Sequence, residues 1–301
     1  MNLAYAVVDV FANTAYAGNP LAIVYAPDEG VVQLAADQMQ AIAAEMNLSE
    51  TVFVTRWDWA VGQFALRIFT PSKELPFAGH PSIGTAAWLA RRAPDTSGLQ
   101  PITLMEAIGP IACEARWQGD VGHATLTPAR LPQRLGEAAP AHDVVAAALG
   151  LPVDALSGAI EIWSSGLAVH CVALDAPERI AAIRPPAING ALQGLDLACF
   201  AYGPGDDTVS ARVFPLAAGI VEDPATGAAA VALAGRMAKD LLTQRSEARV
   251  CIHQGVDMGR PSELRLHLRG GRGALQAVQL SGDVVDVAEG RLLRLPSSRT
   301  G

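Results

Sequence analysis

The chain has 301 residues, half of them hydrophobic, and a formal net charge of −8 at pH 7 with only two lysines, Lys73 and Lys239. That length and apolar content can bury two domain cores, and the acidic balance leaves no electrostatic footprint for nucleic acid. No uncharged apolar stretch reaches the 18 residues of a membrane span, and Met1–Phe11 lacks a basic n-region, so it reads as a strand and not as a signal peptide.

In chain order, Leu3–Phe11 is an expected strand, and Gly18-Asn19-Pro20 turns the chain into a second one at Leu21–Tyr25. Val32–Glu45 carries Leu34, Met39 and Ile42 at helical spacing. Asn47-Leu48-Ser49-Glu50 closes that helix and leads into a β-branched strand at Thr51–Val54, and Phe64–Phe69 alternates as a strand should. A small-residue helix is expected over Ser82–Ala90, followed by strands near Ile102–Glu106, Ile111–Trp117 and His123–Thr127. Pro128, Pro132 and Pro140 mark Pro128–Ala141 as the boundary between two parts of the chain, residues 1–128 and 129–301. The second part opens with a helix at Asp143–Leu149, strands near Ala159–Trp163 and Ala168–Leu174, and a helix near Ala176–Ile183. Strands at Leu197–Tyr202 and Val209–Phe214 and a helix over Ala228–Leu242 come next. Arg249–His253, Leu264–Leu268, Ala277–Leu280 and Val284–Val287 form a strand-rich tail, with Gly270–Gly273 as a hairpin turn and not a phosphate loop.

Cys113, Cys171, Cys199 and Cys251 form no CxxC pair, and the six histidines lack ligand spacing. Four buried thiols in a reducing cytoplasm are expected, with neither a disulfide framework nor a metal.

The two halves of the chain carry matching phrases. Arg67-Ile68-Phe69-Thr70-Pro71, then Leu75–Pro81, precedes one apolar helix; Arg212-Val213-Phe214-Pro215, then Glu222–Gly227, precedes the other. A repeat at half the chain length implies two similar lobes whose loops meet at a site. Neither helix has polar residues in its first turns, so each is expected to be buried on all sides, enclosed by antiparallel strands.

Asp9-Val10-Phe11, Gly18-Asn19-Pro20, Asn47–Thr51, Arg67–Pro71, Glu74–Pro81, Glu222–Gly227, Gln254-Gly255 and Met258–Ser262 occur in this order. Together they resemble the PhzF-like family of phenazine-biosynthesis-like isomerases, related to diaminopimelate epimerase, from Asp9 to Ser262. The resemblance implies an α+β fold of two pseudo-symmetric lobes, each a mostly antiparallel sheet wrapped around a central helix, with the last strand able to cross back to the first lobe. It also implies a small anionic substrate bound between the lobes, no cofactor and a homodimer, while the scattered cysteines suit a cytoplasmic location.

By the same resemblance Glu50 is the acid/base group. Read alone, it is an exposed glutamate near a helix end. Ser49, Gly79, His80, Asp223, Thr226, Gly227 and Ala228 match substrate-binding positions; as local structure, His80 is a helix-start histidine and Gly79, Thr226 and Gly227 are turn and cap residues. Ala228 stands where many relatives carry a serine. The related epimerases use two cysteine thiols, and neither loop here holds a cysteine, so one carboxylate shuttling a proton on one face is expected. The alternatives are an epimerase or racemase using Glu50 with Asp223 or His80 on the opposite face, and a binding protein without chemistry. Facing helix N-termini would hold the substrate's anion through backbone N–H groups. A sulfate or benzoate-like acid soaked into crystals should therefore touch amides of both the Gly79–Pro81 and Thr226–Ala228 loops. An anion touching neither refutes that reading.

Overall fold

The computed structural model describes residues 3–205 and 207–298; Met1 and Asn2, at the head of the segment read as a strand, lie outside them. The chain divides into two compact units, Met1–Ala129 with Ser281–Gly301, and Arg130–Leu280. Among the described residues no helix is long and apolar enough to cross a membrane.

The first unit runs β1 (Leu3–Val10), β2 (Asn19–Tyr25), α1 (Ala36–Met46), β3 (Glu50–Asp58), β4 (Gln63–Phe69), β5 (Glu74–Leu75), α2 (Gly79–Ala90), β6 (Gln100–Glu106), β7 (Gly109–Gln118) and β8 (Val121–Leu126). The second runs β9 (Gln133–Arg134), α3 (His142–Leu149), β10 (Glu161–Ser164), β11 (Ala168–Ala173), α4 (Pro177–Ala182), β12 (Asp196–Tyr202), β13 (Thr208–Pro215), α5 (Gly227–Leu241), β14 (Glu247–Gln254) and β15 (Ser262–Gly271). The long strand β16 (Ala274–Leu292) begins in the second unit and ends in the first.

In the first unit the strand order is β1-β2-β3-β4-β6-β7-β8-β16, and β16 pairs back onto β1, so eight strands close into a barrel. Closure removes the sheet edges that an open sheet would expose. Pairing is mostly antiparallel, as expected, with two parallel joints, β2 with β3 and β4 with β6. Parallel neighbours need a long crossover, which α1 and α2 supply. The α2 crossover runs inside the barrel against β1, β2, β3, β6, β7 and β8, and all twelve of its residues are buried.

Helix α2 starts at Gly79, three residues before the expected Ser82. Pro81 is tolerated in its first turn because the amides there have no intrahelical partner. Small residues let the barrel close on the helix. A Cβ on Gly84 would lie 2.6 Å from Leu21 Cδ2 and 2.6 Å from Val10 Cγ2, both in the core. At the other end Trp88 packs edge-on against Tyr25 at 4.8 Å, with the Arg92 guanidinium 3.8 Å above its ring.

The second unit repeats the alternation. Its strands follow β9-β10-β11-β12-β13-β14-β15-β16, with parallel joints at β11–β12 and β13–β14 spanned by α4 and α5. Val145, Leu149, Ile180, Leu197 and Phe214 belong to one core cluster on the α3 and α4 side. Helix α5 is buried along most of its length, but Lys239 and Asp240 near its end are exposed, so it is less fully enclosed than α2. Of the Gly270–Gly273 stretch read as a hairpin turn, Arg272 and Gly273 form the turn, at φ 53° and 74°, while Gly270 and Gly271 end β15.

One sequence reading fails outright. Ala277–Leu280 and Val284–Val287 are a single strand, β16. Gly282 between them is a packing glycine and not a turn: a Cβ there would lie 2.3 Å from Phe11 Cδ1.

Gly84→Ala should destabilise the protein by about 1–3 kcal/mol from overpacking, although alanine gains about 1 kcal/mol in helix propensity. Gly98→Ala, where a Cβ meets open space, should be near neutral. Urea midpoints at constant slope check the pair.

Candidate active site

Three features of the first unit converge at one end of the barrel. Asn47 ends α1 in the left-handed region at φ 51°, which asparagine tolerates, and the chain enters β3 at Glu50 three residues later. The parallel register sets Glu50 opposite Leu21, two residues beyond the start of β2 at Asn19. The first turn of α2 then brings His80 to both. His80 Nδ1 is 2.9 Å from Glu50 Oε2 and His80 Nε2 is 3.2 Å from the Asn19 carbonyl oxygen. His80 is 4% exposed and Glu50 18%.

This arrangement fixes the proton count. The Asn19 carbonyl can only accept, so Nε2 carries a hydrogen and donates it. Nδ1 therefore has a proton only if the ring is imidazolium. Opposite a carboxylate, a bare Nδ1 would set two lone pairs against each other. One proton must lie between Nδ1 and Oε2, whichever atom holds it. Glu50 Oε1 makes no hydrogen bond among the described residues and remains to meet a ligand. Beside it, α2 offers the Gly79 and His80 amides, which no intrahelical carbonyl can take.

In the second unit Asp223, Thr226 and Gly227 lie at the start of α5. The Asp223 amide donates to the Val213 carbonyl at 3.1 Å, and Thr226 Oγ1 donates to Asp223 Oδ2 at 2.5 Å. Gln254 at the end of β14, 2% exposed, locks this turn. Its Nε2 donates to the Asp223 carbonyl at 2.7 Å, and its Oε1 accepts from the Thr226 amide at 3.3 Å. Ala228 occupies the first turn of α5.

Glu50, His80 and Gly79 are thus gathered in one unit, with Ser49 adjacent in sequence, and Asp223, Thr226, Gly227 and Ala228 in the other. Sequence reasoning gave no role to Asn19 or Gln254. Both stood inside motifs already singled out, and only the fold reveals what their polar groups hold.

The repeated Arg-x-Phe phrase has one physical meaning in both units. Arg67 grips Glu74 through Nε and Nη2, each at 2.7 Å, with its guanidinium 5.2 Å from the Phe69 ring. Arg212 grips Glu222 at 2.8 and 2.7 Å, 5.4 Å from the Phe214 ring, and also donates to the Ile183 carbonyl at 2.7 Å. Each fork pins the loop that enters a buried helix. Among the described residues no group of three or more His, Cys, Asp or Glu is placed to hold a metal ion.

The profile of the phenazine biosynthesis-like protein family (PhzC-PhzF) matches residues 8–290. The chain belongs to that family. It is 38% identical over 290 residues to a trans-2,3-dihydro-3-hydroxyanthranilate isomerase of Pseudomonas aeruginosa, covering 95% of this chain and 98% of the relative. An uncharacterized isomerase of Mesorhizobium japonicum is 35% identical over 302 residues, covering 96% and 98%. These relatives place the chain among isomerases. Among solved structures, a phenazine biosynthesis protein of Bacillus anthracis superposes with a TM-score of 0.82 at 21% identity, covering 98% of this chain and all of that one, which shows the shared fold.

The two forks differ in burial, so they should differ in energy. Arg212 and Glu222 side chains are 6% and 8% exposed, Arg67 and Glu74 32% and 38%. Arg212→Met should cost about 3–5 kcal/mol by stranding a buried carboxylate. Arg67→Met should cost below about 1 kcal/mol. Equal losses in denaturant unfolding would contradict this assignment.

Proposed function

We propose that the protein is a cofactor-independent isomerase that moves a proton within a small carboxylate-bearing metabolite, with Glu50 as the base and then the acid. The observation that carries the reading is the Glu50–His80–Asn19 chain, 2.9 and 3.2 Å long. Glu50 Oε1 takes a proton from one carbon of the substrate, and the electron pair left behind is delocalised toward the substrate's own carboxylate. The same oxygen returns the proton to a second carbon. His80 holds Oε2 throughout, which keeps the carboxylate aimed and supplies positive charge while it is ionised. In this reading the backbone amides of Gly79 and His80 hold the substrate's anionic group. Ser49, next to Glu50 in the same unit, adds to these substrate contacts.

Transfer back on the same face is favoured over a two-base epimerisation with His80. Both ring nitrogens of His80 are engaged, Nδ1 by Glu50 itself, and neither is left to meet a substrate from the opposite side. The relatives' reaction makes trans-2,3-dihydro-3-hydroxyanthranilate the first compound to try. Ala228 offers no hydroxyl to bind it, so other amino-bearing carboxylates of similar size belong in the same screen.

Glu50→Gln should lose turnover by several orders of magnitude, because a neutral amide cannot accept the proton. Loss of trans-2,3-dihydro-3-hydroxyanthranilate and appearance of its double-bond isomer, followed by proton NMR, reads the step directly. A variant keeping more than about a tenth of the rate, an effect under about 1.4 kcal/mol, rules Glu50 out as the base.

A further inference from the structure

Glu106, the last residue of β6, follows Ile102 and Leu104 on the inward face of the barrel and is 8% exposed. It meets Ser82, a fully buried residue in the first turn of α2, two positions after His80. Ser82 Oγ lies 2.7 Å from Glu106 Oε1 and 2.7 Å from the Ala78 carbonyl oxygen. A hydroxyl has one proton to give, and a carbonyl can only accept. Both short contacts are satisfied at once when Ser82 donates to Ala78 and Glu106 itself supplies the proton between the two side chains.

Two further observations agree with a neutral carboxyl. Glu106 Oε2 is buried with no hydrogen-bond partner among the described residues, a costly position for an ionised oxygen. Burial also pushes the Glu106 pKa up to about 7, against a smaller downward pull from Ser82. The titratable groups around it do not offset this. Cys113 on β7 has its thiol pushed far up by burial and stays neutral. Across a crevice of about 330 Å³ between β4 and β6, Arg67 is already taken by both oxygens of Glu74.

We infer that Glu106 is a positioning residue of the active site, whose neutral carboxyl, through Ser82 and the Ala78 carbonyl, holds the turn of α2 that aims His80 at Glu50. The inference rests on the reading of Glu50 and His80 as the reacting pair. When Glu106 ionises, its oxygen takes the Ser82 proton, the Ala78 carbonyl keeps only the Ser82 backbone amide at 3.1 Å, and the first turn of α2 loosens. The sign follows from linkage: the folded state raises the Glu106 pKa above its ordinary value of 4.5, so ionisation works against this arrangement as pH rises through about 7.

The test follows the His80 ring by nitrogen NMR on histidine-labelled protein, with pH varied from 5 to 9. In the wild-type protein His80 should show a transition near pH 7 that follows Glu106. Glu106→Gln keeps a neutral donor at every pH and should lose that transition; Ser82→Ala, which cuts the relay at its middle, should lose it too. Glu50→Gln should retain it. A melting-temperature comparison gives a second readout: Glu106→Gln should gain on the wild type as pH rises, with the difference closing toward pH 5. A wild-type His80 without the transition, or a Glu106→Gln protein that keeps it, overturns the proposal. Should Glu50→Gln keep turnover while Glu106→Gln abolishes the transition, the positioning role stands and the assignment of the base falls.

Discussion

Complete burial of α2 inside the first unit's barrel is the constraint to which the candidate chemistry answers. A helix touched by strands all around can present nothing but its ends, and its sides must be small enough for the strands to close. Gly84 and the run Thr85-Ala86-Ala87 meet that demand, while Trp88 fills the far end with Tyr25 and Arg92 packed on it. Polar function is then confined to the first turn. There His80 is the one side chain with two nitrogens to offer, and the barrel supplies its partners from two strands that start at the same end. The parallel joint of β2 and β3 is what sets the Asn19 carbonyl and the Glu50 carboxylate beside each other.

Holding such a helix end in register falls to the loop before it, and both units solve that problem with the same fork. An arginine on the preceding strand reaches a glutamate that lies seven residues ahead in one unit and ten in the other. A bidentate guanidinium–carboxylate pair fixes direction as well as distance, which a lysine ammonium would not. The buried copy adds a bond to the Ile183 carbonyl and lies where water cannot compete. The exposed copy orders its loop with little net stabilisation. One phrase of sequence thus carries different energies according to burial.

The strands and helices were largely legible, because alternation and helical spacing survive in short segments around Phe64–Phe69 or Met39–Ile42. Misreadings arose where one residue type serves two ends. Gly282 interrupts the alternation, which split one strand into two in the sequence reading, and is a bed for Phe11; Pro81 looks like a residue that must precede a helix and lies inside its first turn. The two parallel joints of the first unit were not anticipated, because strand direction is a property of crossovers, which local pattern does not encode. At the site, Glu50 and His80 could be named from their motifs, but their contact could not. They are thirty residues apart, and only the parallel register of β2 with β3 and the path of α2 through the barrel bring them together. Glu106 gave no signal at all: an ordinary glutamate ending an amphipathic strand becomes unusual only when Ser82 is seen beneath it.

The shared proton between Glu50 and His80 bears on which kind of proton transfer this architecture suits. Because Nε2 must donate to Asn19, the pair holds one proton between Nδ1 and Oε2, which in the proposed reaction leaves only Oε1 for exchange. A base with one working oxygen takes and returns a proton at positions it can reach from a single side. Inverting a stereocentre needs a second donor on the far face, and His80 has no nitrogen left to serve there. Migration of a proton between two carbons on one face needs no second donor. It needs a carboxylate held still while the substrate's electrons shift beneath it, and in the proposed reaction a His80 ring locked to a backbone carbonyl would provide that restraint without itself entering the transfer.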